Sequence, residues 1–335
     1  MTKPNILVVG GAGYIGSHMV KLLRQSGFGV VVVDDLSGGH RDAVLDARLV
    51  VGSMADGRLL AELFARHRFA AVMHFASFIQ VGESMNDPAK YYANNLAATL
   101  TLLDAMRTAG VARFIFSSTA AVYGEPDHVP IGEDHAKRPI NPYGRSKWMV
   151  EQVLEDFDRA YGLKSVCLRY FNAAGADPEG ELGERHLPET HLIPLVLQAA
   201  AGRGPAVSVF GSDYDTPDGT CIRDYIHVCD LCDAHLLALR HLLDGGASAR
   251  LNLGNGAGFS VMEVVETVRR VTGRPVAISR EPRRAGDPPR LVANAALARE
   301  LLGWRPRRAD LDTIVADAWR WERRHPWDGA VAVAR

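Results

Sequence analysis

The sequence predicts a doubly wound parallel α/β sheet that carries a smaller mixed α/β lobe. Three observations predict it. Short β-branched runs alternate with longer amphipathic stretches through the first half of the chain. The runs are apolar at nearly every position, as strands covered on both faces must be. A glycine-rich turn joins the first run to the first amphipathic stretch, which is where such sheets accept phosphates.

The strands expected are 5–10 (NILVVG), 30–34 (VVVVD), 48–51 (RLVV), 70–75 (AAVMHF), 113–118 (RFIFSS) and 165–171 (SVCLRYF), each bounded by turn residues. Helices are expected over 14–26, 56–67, 87–109 and 142–161. Gly27 and Gly110 stand where C-terminal caps belong, and Asp87-Pro88 joins a cap to a proline in the first turn. Right-handed crossovers then stack the strands into one sheet. After about residue 171 the rhythm breaks. AAGADPEGELGERHLPETH is rich in Gly, Pro and acid, and strands such as AVSVF and RLNLG are unevenly spaced. Helices are expected there over 191–201, 230–244, 260–272, 294–302 and 310–324. The division that follows is a dinucleotide-binding Rossmann-type domain over 1–171 and a smaller lobe over 172–335. Some segments of the lobe return to the first domain, since no Ser/Gly/Pro linker separates the two.

With 38 Lys and Arg against 39 Asp and Glu, the net charge is −1. That balance argues against nucleic-acid or membrane-surface binding, which needs a basic footprint. No apolar run reaches the roughly 18 residues that a transmembrane helix requires. Lys3 precedes an apolar stretch, but three glycines interrupt it and no small-x-small cleavage site follows, so a cytoplasmic protein is expected. Four cysteines make no disulfide framework. Cys229 and Cys232 spell C-x-x-C without a second pair or a ligand-spaced histidine pair, so reduced thiols are expected there and no zinc.

Gly10-Gly11-Ala12-Gly13-Tyr14-Ile15-Gly16 satisfies both G-x-G-x-x-G and G-x-x-G-x-x-G. Side chains at Gly10, Gly13 and Gly16 would obstruct the tight turn, the pyrophosphate and the helix–strand packing. Asp34 ends the second strand, 18 residues beyond Gly16. A carboxylate there takes both ribose hydroxyls of NAD and repels the 2′-phosphate of NADP. No arginine nearer than Arg41 follows, so the cofactor expected is NAD.

Tyr143-Gly-Arg-Ser-Lys147 opens a helix after Asn141-Pro142, and the four-residue spacing puts phenol and ammonium on one face. A nearby ammonium favours phenolate, which would draw Tyr143 down from about 10 toward neutrality and make it a general base. Thr119 follows Ser117-Ser118 at the carboxyl end of the fifth strand, where its hydroxyl can share a substrate proton.

Taken in order, GGAGYIGSH, HFASFIQVGES, YYANN, FIFSSTAAVYG, PYGRSK, LRYFNAAGADP, DGTCIRDYIHV, NLGNG and RRAGD closely resemble the UDP-glucose 4-epimerase family of the extended short-chain dehydrogenase/reductases, from about residue 5 to 327. DGTCIRDYIHV and RRAGD are far more specific than the glycine turn. The resemblance implies a hydride exchange at sugar C4 with bound NAD, through a 4-keto sugar that returns to either epimer. Tyr143 is then the base, Thr119 its assistant, and Lys147 the group that lowers its pKa and holds the nicotinamide ribose.

It further implies cofactor contacts from Tyr14 and Ile15, from Asp35, Leu36 and Ser37 after the second strand, and from Ser53 and Met54 after the third. Phe75, Ala76 and Ser77 follow the fourth strand, and Asn94, Tyr170 and Phe171 complete that set. For the UDP-sugar the implied contacts are Phe171, Asn172, His191 and Leu192, then Val209 and Phe210, then Arg223, Arg284, Asp287 and Leu291. Arginine suits a diphosphate and carboxylate suits ribose hydroxyls. A homodimer through 87–109 and 142–161 is implied as well.

Four positions depart from the better-known members. Ser53 stands where an aspartate often meets the adenine amine, and Ile79 where a lysine often reaches the ribose. His191 replaces an asparagine in the substrate loop, and Leu291 replaces a bulkier gate whose tyrosine form excludes N-acetyl sugars. Glu184, His186, Glu189 and His191 fall in that loop, so no metal is expected from them. Thr119 is followed by Ala120 and Ala121, which supply no acid or base for elimination. A UDP-xylose/UDP-arabinose epimerase would need the same residues; a non-catalytic NAD(H) sensor would not need Thr119, Tyr143 and Lys147 in register.

Overall fold

The computed structural model describes residues 3–284 and 288–325. The first half runs β1 (Asn5–Val9), α1 (Tyr14–Gln25), β2 (Gly29–Asp34), β3 (Arg48–Val51), α2 (Gly57–Arg66), β4 (Phe69–His74), α3 (Val81–Asn86), α4 (Pro88–Tyr91), α5 (Thr99–Thr108), β5 (Arg113–Thr119), α6 (Pro142–Tyr161) and β6 (Lys164–Tyr170). The second half runs β7 (Asn172–Ala174), α7 (Leu192–Ala200), β8 (Val207–Phe210), β9 (Ile222–Arg223), β10 (Tyr225–His227), α8 (Val228–Leu243), β11 (Ala249–Leu253), β12 (Phe259–Ser260), α9 (Val261–Thr272), β13 (Ile278–Glu281), β14 (Arg290–Leu291), α10 (Ala296–Leu302) and α11 (Leu311–Arg324).

Seven strands form one parallel sheet in the order β11-β6-β5-β4-β1-β2-β3. Strand order reverses between β1 and β4, so the carboxyl ends of these strands open a crevice there. Both faces are covered, which explains the unbroken apolar runs. Met19 and Leu23 of α1 pack with Leu231 and Leu239 of α8 on one face. Leu60 of α2, Leu102 of α5 and Leu154 of α6 pack on the other. A separate core of Val196, Val264, Val268, Ile314 and Val315 holds α7, α9 and α11 together.

The structure departs from the sequence pattern in three places. The helix expected over 87–109 is preceded by α3 and widens into π-helical hydrogen bonding over Tyr92–Ala98. That wide turn carries Asn95 round to Phe78, whose N–H donates to Asn95 Oδ1 at 2.9 Å and whose carbonyl accepts from Nδ2 at 3.0 Å. RLNLG becomes β11, which joins the main sheet beside β6, because α8 crosses the α1 face and returns the chain to that edge. The small sheets β7–β10, β9–β12–β14 and β8–β13 contain strands of two to four residues, too short to carry a period.

One charged pair is fully inside. Arg169 on β6 is 1% exposed and Glu151 on α6 is 0% exposed. Arg169 Nε donates to Glu151 Oε1 at 2.9 Å, and Nη1 donates to the Tyr123 hydroxyl at 2.8 Å. Tyr123 in turn donates to Asn252 of β11 at 2.7 Å. Removing Arg169 leaves buried Glu151 with only Arg250 Nε, at 3.4 Å, to match its charge; a buried charge left fully unmatched costs about 3–5 kcal/mol. Arg169→Met is therefore expected to lose up to about that much in urea unfolding; a loss below about 1 kcal/mol would show that the pair does not secure β6 against α6.

Candidate active site

Backbone proximity shapes the turn after β1. Gly10 has φ +80°, and a Cβ on it would collide with the backbone of Ala76; a Cβ on Gly16 would collide with the Gly10 carbonyl. Gly13 differs, because a Cβ there would meet only the Gly10 oxygen, at 3.6 Å. Nothing within the protein demands a glycine at that position, and the residue caps α1 with no side-chain bond and no acid in the first turn. An open cradle at a bare helix N-terminus fits a dinucleotide pyrophosphate.

At the end of β2, Asp34 is fixed by backbone donors. Ala12 N–H donates to its Oδ2 at 2.9 Å and Leu36 N–H to its Oδ1 at 2.8 Å. Burial raises the Asp34 pKa, and those two N–H groups pull it back. Leu36 accepts a left-handed φ of 61° in the same turn. Beside it, Asp35 Oδ1 accepts from Ser37 N–H at 2.9 Å. The set fits the ribose end of NAD.

Other residues expected at the cofactor are spread around this crevice. The Tyr14 hydroxyl donates to the Gly175 carbonyl at 2.6 Å, so its ring leans toward the second half of the chain. Ile15 packs against the α1–α8 core. Ser53 Oγ accepts from Ala55 N–H, while the Met54 side chain is buried in the apolar core. Phe75 and Tyr170 both lie against His235, at 5.0 and 6.2 Å between ring centroids. Asn94 Nδ2 donates to Asn95 Oδ1 at 3.0 Å.

The acid–base group is built on the first turns of α6. Asn141 caps the helix by accepting from Gly144 N–H at 2.8 Å, with Pro142 in the first turn. Tyr143 lies beside Thr119 at the end of β5. One turn on, Lys147 Nζ donates to Ser77 Oγ and to the Ser117 carbonyl, both at 2.7 Å. Burial lowers the Lys147 pKa to about 7, and the Glu151 carboxylate pulls it back up. The Tyr143 phenol is raised by burial, with the Thr119 hydroxyl pulling it down. This corrects the expectation of a phenol drawn toward neutrality. The ammonium is engaged by Ser77 and Ser117, and it is the lysine, not the tyrosine, whose pKa lies near 7.

Phe171 and Leu291 both pack on the cluster of Ala120, Val122, Tyr123 and Ile131, which brings β14 of the second half to the end of β5. Leu291 is paired in register with Arg223, whose Nη1 donates to the Ile222 and Pro288 carbonyls. Asn172 Nδ2 donates to the Asp224 carbonyl at 3.2 Å. Arg284 lies over the Phe210 ring at 3.7 Å, beside the buried Val209. His191 precedes Leu192 at the start of α7. Asp287 lies outside the described residues.

Sequence reasoning missed Ser118 and Glu151. Ser118 Oγ donates to Glu151 Oε1 at 2.6 Å, immediately before Thr119. The signal was available: Glu151 continues the Tyr143, Lys147 spacing by four more residues.

Fold and site define a class: a doubly wound dinucleotide-binding protein whose Tyr–Lys pair can move the proton of an alcohol. The chain belongs to the NAD dependent epimerase/dehydratase family, whose model matches residues 6–254. It is 53% identical over 329 residues to the UDP-glucose 4-epimerase of Rhizobium meliloti (strain 1021), covering 98% of this chain and 100% of that protein. The crystal structure of UDP-glucose 4-epimerase from Brucella ovis in complex with NAD superposes with a TM-score of 0.93 at 53% identity, covering 94% of this chain and 97% of that one. That of Bifidobacterium longum in complex with NAD+ and UDP gives 0.91 at 38%, covering 96% and 99%.

The buried lysine predicts a pH effect on stability. Folded, Lys147 sheds its proton near pH 7, whereas the unfolded chain holds it to about 10.5. The unfolded state binds more protons in that window, so stability gains up to about 1.4 kcal/mol per pH unit as pH rises through it. Lys147→Met lacks this gain. Urea unfolding of nucleotide-free protein is expected to show wild type gaining on the variant from about pH 7 to 10; parallel profiles would show that the lysine stays protonated.

Proposed function

We propose that the protein interconverts UDP-galactose and UDP-glucose at sugar C4. The observation that carries this reading is buried Lys147, held by Ser77 and the Ser117 carbonyl one helical turn from Tyr143, with Thr119 at the end of β5, one strand beyond β4 from the dinucleotide cradle. Bound NAD supplies a reversible hydride acceptor at C4, so the reaction has no net redox change.

Tyr143 acts as phenolate, a form that burial disfavours and that the positive charge of bound NAD+ would favour; it takes the proton of the 4-hydroxyl as the C4–H bond breaks, and the Thr119 hydroxyl beside it passes or steadies that proton. Lys147 supplies positive charge one helical turn from the phenol and holds the nicotinamide ribose. The proton returns from Tyr143 when the keto sugar, turned over in the pocket, is reduced on its other face. Asp34 holds the adenosine ribose, and the Gly10–Gly16 turn with Tyr14 and Ile15 holds the pyrophosphate. Arg223 and Arg284 take the UDP diphosphate, Asp287 the uridine ribose, and Asn172, His191 and Phe171 border the sugar. In this reading residues 1–171 form the NAD-binding domain. The remainder is mainly UDP-sugar-binding, with α8 and β11 returned to the sheet.

The same reading places the enzyme in the cytoplasm as a homodimer. Four free thiols suit a reducing compartment, and no helix among the described residues is long and apolar enough to cross a membrane. Leu100 on α5 and Met149 and Tyr161 on α6 are exposed apolar side chains, which supports a contact between copies through those helices.

Purified protein given UDP-galactose without added NAD is expected to produce UDP-glucose by NMR, approaching a mixture of both. Tyr143→Phe is expected to lower kcat by about 10²–10⁴-fold while UDP still binds; no conversion by wild type even with NAD supplied would sink the reading. Leu291 is smaller than a tyrosine gate, so UDP-N-acetylglucosamine is expected to be epimerised as well. A rate below roughly one-thousandth of that on UDP-glucose, a discrimination a size gate can reach only by steric exclusion, would overturn this.

A further inference from the structure

The segment between β7 and α7 reads Glu184-x-His186-x-x-Glu189-x-His191, and the chain folds so that one ligand atom from each lies within 4.8 Å of the others. We propose that these four side chains form a zinc site that fixes this segment at the entrance to α7. The proposal goes beyond the epimerase reading and does not rest on it; His191 enters the cluster through Nδ1, which leaves its Nε2 for the sugar.

Geometry is the first argument. Glu184 Oε1 lies 3.1 Å from His186 Nδ1 and 2.9 Å from His191 Nδ1. Glu189 lies 2.9 Å from His191 Nδ1 and 3.8 Å from His186 Nδ1. Ligands bound at about 2.0–2.2 Å to a tetrahedral zinc are roughly 3.3–3.6 Å apart, and the observed set brackets that edge. A cavity of about 10 Å³ adjoins Glu184, His186 and Glu189, walled by Trp321 and His325.

Burial is the second. His186 Nδ1 is closed to solvent and faces the Glu184 and Glu189 carboxylates at 3.1 and 3.8 Å. A buried nitrogen between two carboxylates converges with them on one point. Glu189 Oε1 is meanwhile steadied by the N–H groups of Thr190 and His191, at 2.7 and 2.8 Å, as an outer shell steadies a ligand.

Charge and donor type complete the case. Both carboxylates are 7% exposed, and two of them neutralise one divalent cation inside the protein. Two imidazoles and two carboxylates suit zinc over calcium or magnesium, which prefer an all-oxygen set. The acidic trio Asp177, Glu179 and Glu181 is a contrast, since Lys21 already bonds all three. Without a metal the four groups hold together as two imidazolium–carboxylate pairs, so zinc must displace two protons to bind.

The test uses tag-free, full-length protein stripped with chelator, dialysed, and titrated with zinc chloride or cobalt chloride. One zinc per chain is expected, with a rise in melting temperature, and cobalt is expected to give the intense visible bands of a four-coordinate ion. The double variant Glu184→Gln, His186→Gln is expected to weaken zinc by at least the roughly 10–100-fold that loss of an outer-shell partner costs elsewhere, its fold checked by circular dichroism. Zinc that washes out on dialysis, the spectrum of six-coordinate aqueous cobalt, or binding unchanged in a folded double variant would each overturn the proposal. Wild-type stoichiometry and the cobalt spectrum decide it even where the variant fails to fold.

Discussion

Polar groups that recur every four residues along a buried helix face must each find a partner inside the protein, and α6 presents three. Tyr143 meets Thr119, Lys147 meets Ser77 and the Ser117 carbonyl, and Glu151 meets Ser118 and Arg169. Those partners stand after β4, on β5 and on β6. The row therefore fixes the depth of α6 on the sheet, because a slip by one residue would strand all three groups at once. Glu151 secures the row from below, since its charge is matched by Arg169 and still acts on Lys147. An unmatched ammonium at this depth would simply lose its proton.

The other side of the crevice is held by backbone contact. Gly10 and Gly16 are required by the protein's own packing, while Gly13 is not, and the difference separates a folding constraint from a ligand constraint within one turn. Asp34 is oriented by two main-chain donors, so its carboxylate is in place before any ribose arrives. A cradle organised in advance spends little ordering on binding.

The central sheet was legible because strands buried on both faces read as plain apolar runs, and the glycine turn and Asp34 were legible because their spacing is dictated by a ligand of fixed length. Three things were not. The π-helical turn at Tyr92–Ala98 depends on Asn95 bonding Phe78, a contact with no local period. The return of β11 to the sheet depends on where α8 packs, which only tertiary structure decides. The pKa of the Tyr143–Lys147 pair was misjudged because spacing gives proximity and not direction. The lysine turns to Ser77 and Ser117, and burial then acts on both groups. The Glu184–His191 quartet shows the same limit, since four titratable residues in eight look like loop polarity until the backbone folds them onto one point.

In the proposed reaction the distribution of polar contacts decides the outcome as much as the base does. The nucleotide side offers arginines and main-chain donors, while Phe171 and Leu291 border the reacting end together with the apolar Ala120 and Val122. A keto sugar gripped through its diphosphate and weakly at its ring can turn about that tether, which returning the same hydride to the opposite face requires. A second acid or base after Thr119 would change this in two ways: it would give the intermediate a route to elimination, and it would hold one face of the ring in place by hydrogen bonding. Ala120 and Ala121 do neither. Stereochemical looseness at C4 then follows from what this strand end lacks, and chemical restraint follows from the same two alanines.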